Sequence, residues 1–141
     1  MLLQKFESMT LVCVFLLGWG AAAFAQPELV DESGRISAPN GKPILHVTGK
    51  IQVSTDGESA IFDYDLLKQF PQHSLRVKSP WFDTEHTQSG PLLKDVLEFL
   101  GVRGGSMYVQ ALNGYAASVP VADAQNLKVL LSIDRDGKPL R

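Results

Sequence analysis

The apolar stretch near the N-terminus determines how much of this chain is left to fold. Lys5 precedes the run MTLVCVFLLGWGAAAFA, which ends with small residues at Ala23 and Ala25. This arrangement is typical of a secretory signal peptide, so we predict that residues 1–25 are a signal cleaved after Ala25. The run is short for a membrane span, and an uncleaved N-terminal anchor is the alternative. We therefore expect a periplasmic or secreted protein, with no membrane attachment after cleavage.

Cysteine usage limits the chemistry of the remaining residues. The one cysteine, Cys13, lies within the predicted signal, so residues 26–141 contain no thiol. A chain of this length fits one domain. That domain must be stabilised by its own hydrophobic core, because it has no disulfide, and it offers neither a thiolate nucleophile nor a cysteine metal ligand.

Charge argues against two classes of partner. The chain has 13 Lys and Arg residues against 15 Asp and Glu residues, a formal net charge of −2. It contains no basic run, so we expect no nucleic-acid partner. It also lacks a Lys-rich amphipathic segment that would bind a membrane surface. A small-molecule ligand is a candidate partner, and the sequence does not specify an oligomeric state.

The order of predicted elements favours an α+β domain. Residues 26–43 are polar, contain Pro and Gly and lack periodicity, so we predict a tether there. Compact structure is expected from Ile44, which makes residues 44–141 the domain. The segments ILHVTGKIQV, HSLRVKS and KVLLSID are predicted strands. Strands and short helices are mixed without the regular alternation of a doubly wound sheet, and this mixture is typical of the α+β class.

Two helices have recognisable ends. Asp63 is the expected N-cap of a short helix in FDYDLLKQF. In SGPLLKDVLEFLGV, either Ser89 or Gly90 is the expected cap, and Pro91 occupies the first turn, where its missing N–H costs nothing. Gly101 follows the last apolar position and is expected to end this helix with a positive φ.

Turn residues predict two reversals of the chain. In SMYVQALNGYAASVPV, two β-prone arms flank Asn113-Gly114, which predicts a hairpin with a type I′ turn. Farther along, ADAQNL is expected to form a helical turn, and DRDGKP a tight turn.

The stretch VKSPWFDTEHTQSGPLLKDV holds the densest group of functional side chains. Asp83, Glu85 and His86 are suitable ligands for several divalent ions. However, Asp83 and Glu85 share a face only if the segment is a strand, and His86 would then point away. A solvated loop is the favoured interpretation, and we predict no metal site.

The remaining carboxylate pairs have simple structural explanations. The pair at positions 63 and 65 is explained by helix capping, and the pair at positions 134 and 136 by turn chemistry. No Gly-x-Ser-x-Gly nucleophile motif is present. We therefore predict no catalytic residue.

Two aromatic side chains are candidates for ligand contact. Trp81 directly follows Pro80 in a predicted loop and is the only tryptophan after residue 25. Tyr115 lies just past the tip of the predicted hairpin. Either aromatic ring could line a ligand pocket, while the alternative for Trp81 is that it closes an edge of the core.

Four segments in fixed order carry a resemblance to a known family. FDYDLLKQFPQHSLRVKSPWFD, SGPLLKDVLEFLGV, VQALNGYAASVPVAD and DRDGKPL together resemble the oxidoreductase molybdopterin-binding domain of the sulfite oxidase family, and most closely a branch of small exported bacterial proteins. The resemblance covers about Ile44 to Leu140. It implies a mixed-sheet α+β domain whose loops hold a pyranopterin dithiolate carrying molybdenum, with one protein cysteine bound to the metal.

The sequence departs from the family pattern at the metal. The resemblance places the cysteine ligand between the second strand and the following helix, at or next to Ser79. A hydroxyl is a poor substitute for a soft thiolate. Arg76, Arg103 and Arg135 do not match the phosphate-binding arginines of the enzymes. The chain also stops at Arg141, before a further family strand, so we expect a C-terminally truncated version of the domain.

These departures favour a non-catalytic ligand-binding or sensory module in the periplasm, with no cofactor expected. The alternative is a molybdopterin-dependent oxidoreductase that contains the molybdenum cofactor, and the sequence leaves open whether the protein is an enzyme. Candidate ligand-binding residues are Ser79, Trp81, Asn113 and Tyr115.

Overall fold

The computed structural model describes residues 29–78, Pro80 and residues 83–140. They form a small mixed α+β domain, and this class was predicted from the sequence. The described strands pair antiparallel in separate sheets, whereas the sequence resemblance implied a single mixed sheet. The elements in chain order are β1 (Leu45–Thr48), β2 (Ser59–Phe62), α1 (Tyr64–Lys68), β3 (Gln72–Val77), β4 (His86–Pro91), α2 (Leu93–Phe99), β5 (Ser106–Gln110), β6 (Ala116–Pro120), α3 (Val121–Asn126), β7 (Asp134–Arg135) and β8 (Lys138–Pro139).

The strands make three antiparallel sheets within the described residues. β1 pairs with β2, β5 pairs with β6, and a four-stranded sheet has the order β3-β4-β7-β8. None of the helices described here is long and apolar enough to cross a bilayer.

The main core is organised around Phe70, which follows α1. Its ring makes edge-to-face contacts with Phe62 at 6.0 Å and with Phe99 at 5.4 Å between ring centroids. Leu66 and Leu67 of α1 are buried in the same cluster, so the apolar face of this helix is as predicted. A second, smaller cluster joins α2 to α3 through Leu97, Val121 and Ala124.

The N-terminal described segment belongs to the core, and the predicted tether is therefore wrong for residues 29–36. Leu29 and Ile36 are buried in the main cluster. Between them, the Asp31 carboxylate accepts hydrogen bonds from the Ser33 and Arg35 N–H groups, which holds a tight turn. The prediction failed because two isolated apolar residues in a polar run make no periodic pattern.

Asp63 caps α1 as predicted. Its carboxylate accepts the Leu66 N–H at 2.9 Å and the Gly41 N–H at 2.7 Å. Burial by itself raises the pKa of this carboxyl, but the N–H donors of Leu66, Gly41 and Asn40 favour the charged form, and the net pKa is lowered. Asp63 therefore holds both the helix start and the preceding loop.

The start of α2 differs from the prediction. Ser89, Gly90 and Pro91 belong to β4, and the N-cap is Leu92, which makes no side-chain cap hydrogen bond. The Leu93 N–H instead donates to the Val129 carbonyl at 2.9 Å. Tertiary pairing thus replaces the local cap. The predicted helix end is confirmed, because Gly101 follows α2 with φ 71°.

A β-bulge interrupts the predicted strand KVLLSID. Leu92 bridges to Leu130, whereas Ser89 is paired with Asp134, so three steps along β4 correspond to four steps along the other segment. The Ser89 carbonyl also accepts the Ile133 N–H at 2.9 Å. Ile133 and Asp134 therefore both face Ser89, which is the signature of a bulge. The segment is extended, but only its end at Asp134–Arg135 forms a regular strand.

The predicted hairpin is confirmed, but its turn type is not I′. Asn113 does not have a positive φ, while Gly114 has φ 84° and donates its N–H to the Ala111 carbonyl at 3.0 Å. This geometry is that of a three-residue loop ending in a left-handed glycine. A type I′ turn occurs instead at the predicted DRDGKP turn, where Asp136 has φ 51° and Gly137 has φ 75°.

We expect Gly90→Ala to be strongly destabilising. A Cβ atom at position 90 would overlap the Leu131 carbonyl oxygen, because the bulged segment approaches β4 closely there. The expected loss is at or above the upper end of about 1–3 kcal/mol, measured by urea denaturation. Gly57→Ala is the control: its Cβ meets nothing within 4 Å, so only backbone strain of about 1–2 kcal/mol should appear. Equal losses in the two variants would contradict close packing at position 90.

Candidate functional site

The stretch singled out in the sequence, residues 77–96, contains the connection between two paired strands, all of β4 and the start of α2. Val77 of β3 is paired with His86 of β4, and residues 78–85 connect them. The predicted solvated loop is therefore wrong for His86, which begins a strand. Ser79 and Trp81, the two ligand candidates in this loop, lie outside the described residues.

A hydrogen-bonded cluster holds the base of this loop. His86 Nδ1 lies 2.6 Å from the Asp136 Oδ2 atom. The other oxygen, Asp136 Oδ1, accepts the Thr87 N–H at 2.9 Å. These hydrogen bonds, first the one from Thr87 and then the one from His86, lower the pKa of Asp136 below its ordinary value. We call His86, Thr87 and Asp136 the loop-base cluster.

The loop-base cluster joins two parts of the chain that are far apart in sequence. His86 follows the β3–β4 loop, and Asp136 lies in the β7–β8 turn, fifty positions later. Both connections are therefore at the same end of the four-stranded sheet. Sequence reasoning assigned Asp136 to turn chemistry, which is correct, but it missed the contact with His86. No local signal specifies that contact.

Asp134 has a different role from the turn chemistry predicted for it. It is buried, and its carboxylate accepts the Tyr64 hydroxyl at 2.9 Å and the Lys68 ammonium at 2.9 Å. Both partners come from α1, and the Lys68 ammonium also lies 5.6 Å from the Tyr64 ring centroid. Asp134, Tyr64 and Lys68, which we call the triad, fix α1 on the four-stranded sheet.

The triad changes the titration of its two donors. The hydrogen bond to Asp134 is the largest cause of the raised pKa of Tyr64, and burial adds to it. The same carboxylate, through its hydrogen bond, raises the pKa of Lys68 although burial opposes the shift. Both donors are therefore held in their protonated forms.

The two predicted ligand residues in the hairpin lie in the loop that connects β5 and β6. Asn113 Oδ1 accepts the Tyr115 N–H at 3.1 Å, so Asn113 acts as a turn residue. Tyr115 is exposed. The structure thus places these residues in the connection of the β5–β6 sheet, and the loop-base cluster at one end of the four-stranded sheet.

The residues that follow the predicted signal do not fit a thiolate-ligated molybdenum cofactor. Residues 26–141 contain no cysteine. Arg76 is opposite Thr87, and Arg135 is opposite Gln88, on neighbouring strands. Successive residues of a strand point to opposite faces, so these two arginines project from opposite faces of the sheet. Arg103 follows α2. Arg76 and Arg135 therefore do not converge on one phosphate group.

Within the described residues, no group of three or more His, Cys, Asp or Glu side chains is placed to hold a metal ion. No family model and no curated protein sequence matches this chain. The resemblance to molybdopterin-binding domains therefore stays a prediction.

We expect the triad to make stability fall at alkaline pH. A raised folded-state pKa stabilises the fold below the unfolded pKa, and this contribution is lost as pH rises through the folded value. The loss should begin at about pH 10, the ordinary range of Tyr and Lys. Urea denaturation of Lys68→Met and Tyr64→Phe should show a weaker dependence on pH above that point.

At neutral pH, Lys68→Met should cost about 1–2 kcal/mol. This is less than the roughly 3–5 kcal/mol of a fully buried pair, because the Lys68 side chain is 40% exposed and solvent screens it. Wild-type stability and wild-type pH dependence in both variants would contradict a structural role for the triad.

Proposed function

We propose that this chain is an exported, non-catalytic binding module on a scaffold of the sulfite-oxidase molybdopterin-binding type. Its ligand site is the end of the four-stranded sheet that carries the 78–85 loop. The observation that carries this proposal is the loop-base cluster, because His86 is hydrogen-bonded to Asp136 from the other connection at that end. A loop with a fixed base can present side chains to a ligand at a reduced entropic cost.

The chemistry of the loop supports binding over redox catalysis. The loop contributes hydroxyl, carboxylate and indole groups, among them Ser79 and Trp81, but no sulfur. An indole offers a large apolar surface with one hydrogen-bond donor, which suits contact with a small organic ligand. The alternative function, a molybdopterin-dependent oxidoreductase, is supported by the sequence resemblance alone.

Cofactor content separates the two functions. The protein would be expressed in a host that makes the molybdenum cofactor, and molybdenum and pterin would be measured per mole of purified chain. We expect neither above background, because residues 26–141, which follow the predicted signal, contain no thiolate ligand. Stoichiometric molybdenum and pterin would overturn the binding-module proposal and establish the oxidoreductase.

Ligand binding can be followed through Trp81, the only tryptophan after residue 25. The probes are a panel of amino acids, sugars and organic acids, titrated while indole emission is recorded. We expect at least one class to shift the emission, and His86→Ala to weaken its binding at least tenfold, because the loop loses its anchor. Thermal midpoints of all variants would show whether folding is retained.

His73→Ala is the matched control. His73 lies in the same sheet, opposite Gly90 near the far end of the β3–β4 ladder. Its imidazole is 3.9 Å from Asp95 and does not touch the loop-base cluster. Binding should therefore be unchanged in His73→Ala. Equal losses in the two histidine variants, or a panel that never changes Trp81 emission, would contradict a ligand site at this loop.

A further inference from the structure

We propose that the β5–β6 hairpin is a dimerisation surface, on which β5 pairs antiparallel with β5 of a second copy of this chain. This inference does not depend on the proposed ligand site, because the hairpin forms a separate sheet from the loop-base cluster. The hairpin has an open edge at β5, a partly blocked edge at β6, no charged side chain and several exposed apolar side chains.

Backbone N–H and C=O groups of alternate β5 residues point away from β6. The Val121 N–H donates to the Gly105 carbonyl, and the Ala111 N–H donates to the Tyr115 carbonyl. Antiparallel pairs alternate between bonded and non-bonded positions. The N–H and C=O groups of the intervening residues therefore point away from β6; these residues are Ser106, Tyr108 and Gln110. Within the part of the chain that the structure describes, no other strand pairs with this edge.

The two edges of the hairpin differ in how many backbone groups they offer for pairing. The corresponding outward positions of β6 are Ala116, Ser118 and Pro120. Pro120 has no N–H to donate, and α3 starts directly after it and packs against β6. The edge of β6 is therefore shorter as a template for pairing, whereas the edge of β5 presents three complete donor and acceptor sets.

The hairpin has no charged side chain. Residues 104–122 contain no Asp, Glu, Lys or Arg, although 20% of the whole chain is charged. Natural edge strands are usually protected from pairing by charged side chains, proline or a bulge. β5 has none of these devices. Two copies can therefore approach without like-charge repulsion, while a partner recognised through charge would find no complementary group on the hairpin.

The hairpin exposes several large apolar and aromatic side chains. Tyr108 is 74% exposed, Val109 is 49% exposed and Tyr115 is 72% exposed, and Leu112 at the tip is fully exposed. The hairpin is partly covered at its base, where Met107 packs against the smaller core cluster. An isolated two-stranded ribbon is marginal in water. Pairing with a second ribbon produces a four-stranded sheet. Tyr108 and Val109 project from opposite faces of β5, so apolar side chains of the second copy would add to both faces.

A second copy is the occupant that these features favour. When β5 pairs antiparallel with β5 of a second copy, a two-fold axis relates the two copies. Both copies then use the same surface, and the assembly stops at a dimer. The pairing is self-complementary in hydrogen bonding and neutral in charge. A second copy therefore provides every group that the pairing needs.

The test is sedimentation equilibrium of the protein as recovered from an expressing host, over a range of concentrations. We expect a reversible monomer–dimer equilibrium. Gln110→Lys and Tyr108→Lys each add one positive charge per copy to the paired edge, and each should raise the dissociation constant at least tenfold. Gln110 is exposed and polar, so its variant should fold even if Tyr108→Lys does not. Leu127→Lys is the control, because this exposed apolar residue lies after α3 and outside the hairpin; its dissociation constant should be unchanged.

Amide hydrogen exchange identifies the edge. On dimerisation, protection should increase at the Ser106, Tyr108 and Gln110 amides. A protein that stays monomeric at every soluble concentration would overturn the proposal, as would a dimer that both lysine variants leave intact. Protection of these amides in a monomer would assign the edge to another segment of the same chain, and would equally overturn pairing with a second copy.

Discussion

One extra residue in the segment before β7 sets the register of everything that follows it. Ser89 is opposite both Ile133 and Asp134. In a regular strand these neighbours would point to opposite faces, yet both are buried. Without the bulge, every later residue would shift by one position along β4. The bulge therefore aims Asp134 at α1 and also places Asp136, rather than Arg135, beside Thr87.

The Asp134 triad contributes more to positioning than to raw stability. The charged pair with Lys68 must offset the cost of removing a carboxylate from water, and that cost often cancels the attraction. The Tyr64 hydroxyl satisfies the second carboxylate oxygen, so the buried charge has partners at both of its oxygens. A helix of one and a half turns has little stability of its own. The triad and the Asp63 cap together specify where α1 sits on the sheet.

Features with a local cause were predictable from the sequence, and features with a distant cause were not. The Asp63 cap, the β5–β6 hairpin and the Asp136-Gly137 turn each follow from a few neighbouring residues. Ser89 and Pro91 resemble a helix start, but pairing with β3 makes them a strand, so the local signal was overridden. The His86–Asp136 contact and the buried position of Ile36 depend on residues remote in sequence. Of the four ligand candidates, Asn113 and Tyr115 were placed correctly at a hairpin tip, while the anchor of the proposed site was missed.

The terminal residue pair of the β3–β4 ladder, Val77 and His86, determines where the connection between these strands begins and ends. Val77 and His86 are held opposite each other by the sheet, and His86 is tied again from the β7–β8 turn. The two ends of the intervening segment are thus fixed independently of what lies between them. A connection of another sequence or length would therefore be joined to the sheet at the same two points. The sheet end is a grafting position, where new recognition sequences can be installed on an unchanged framework.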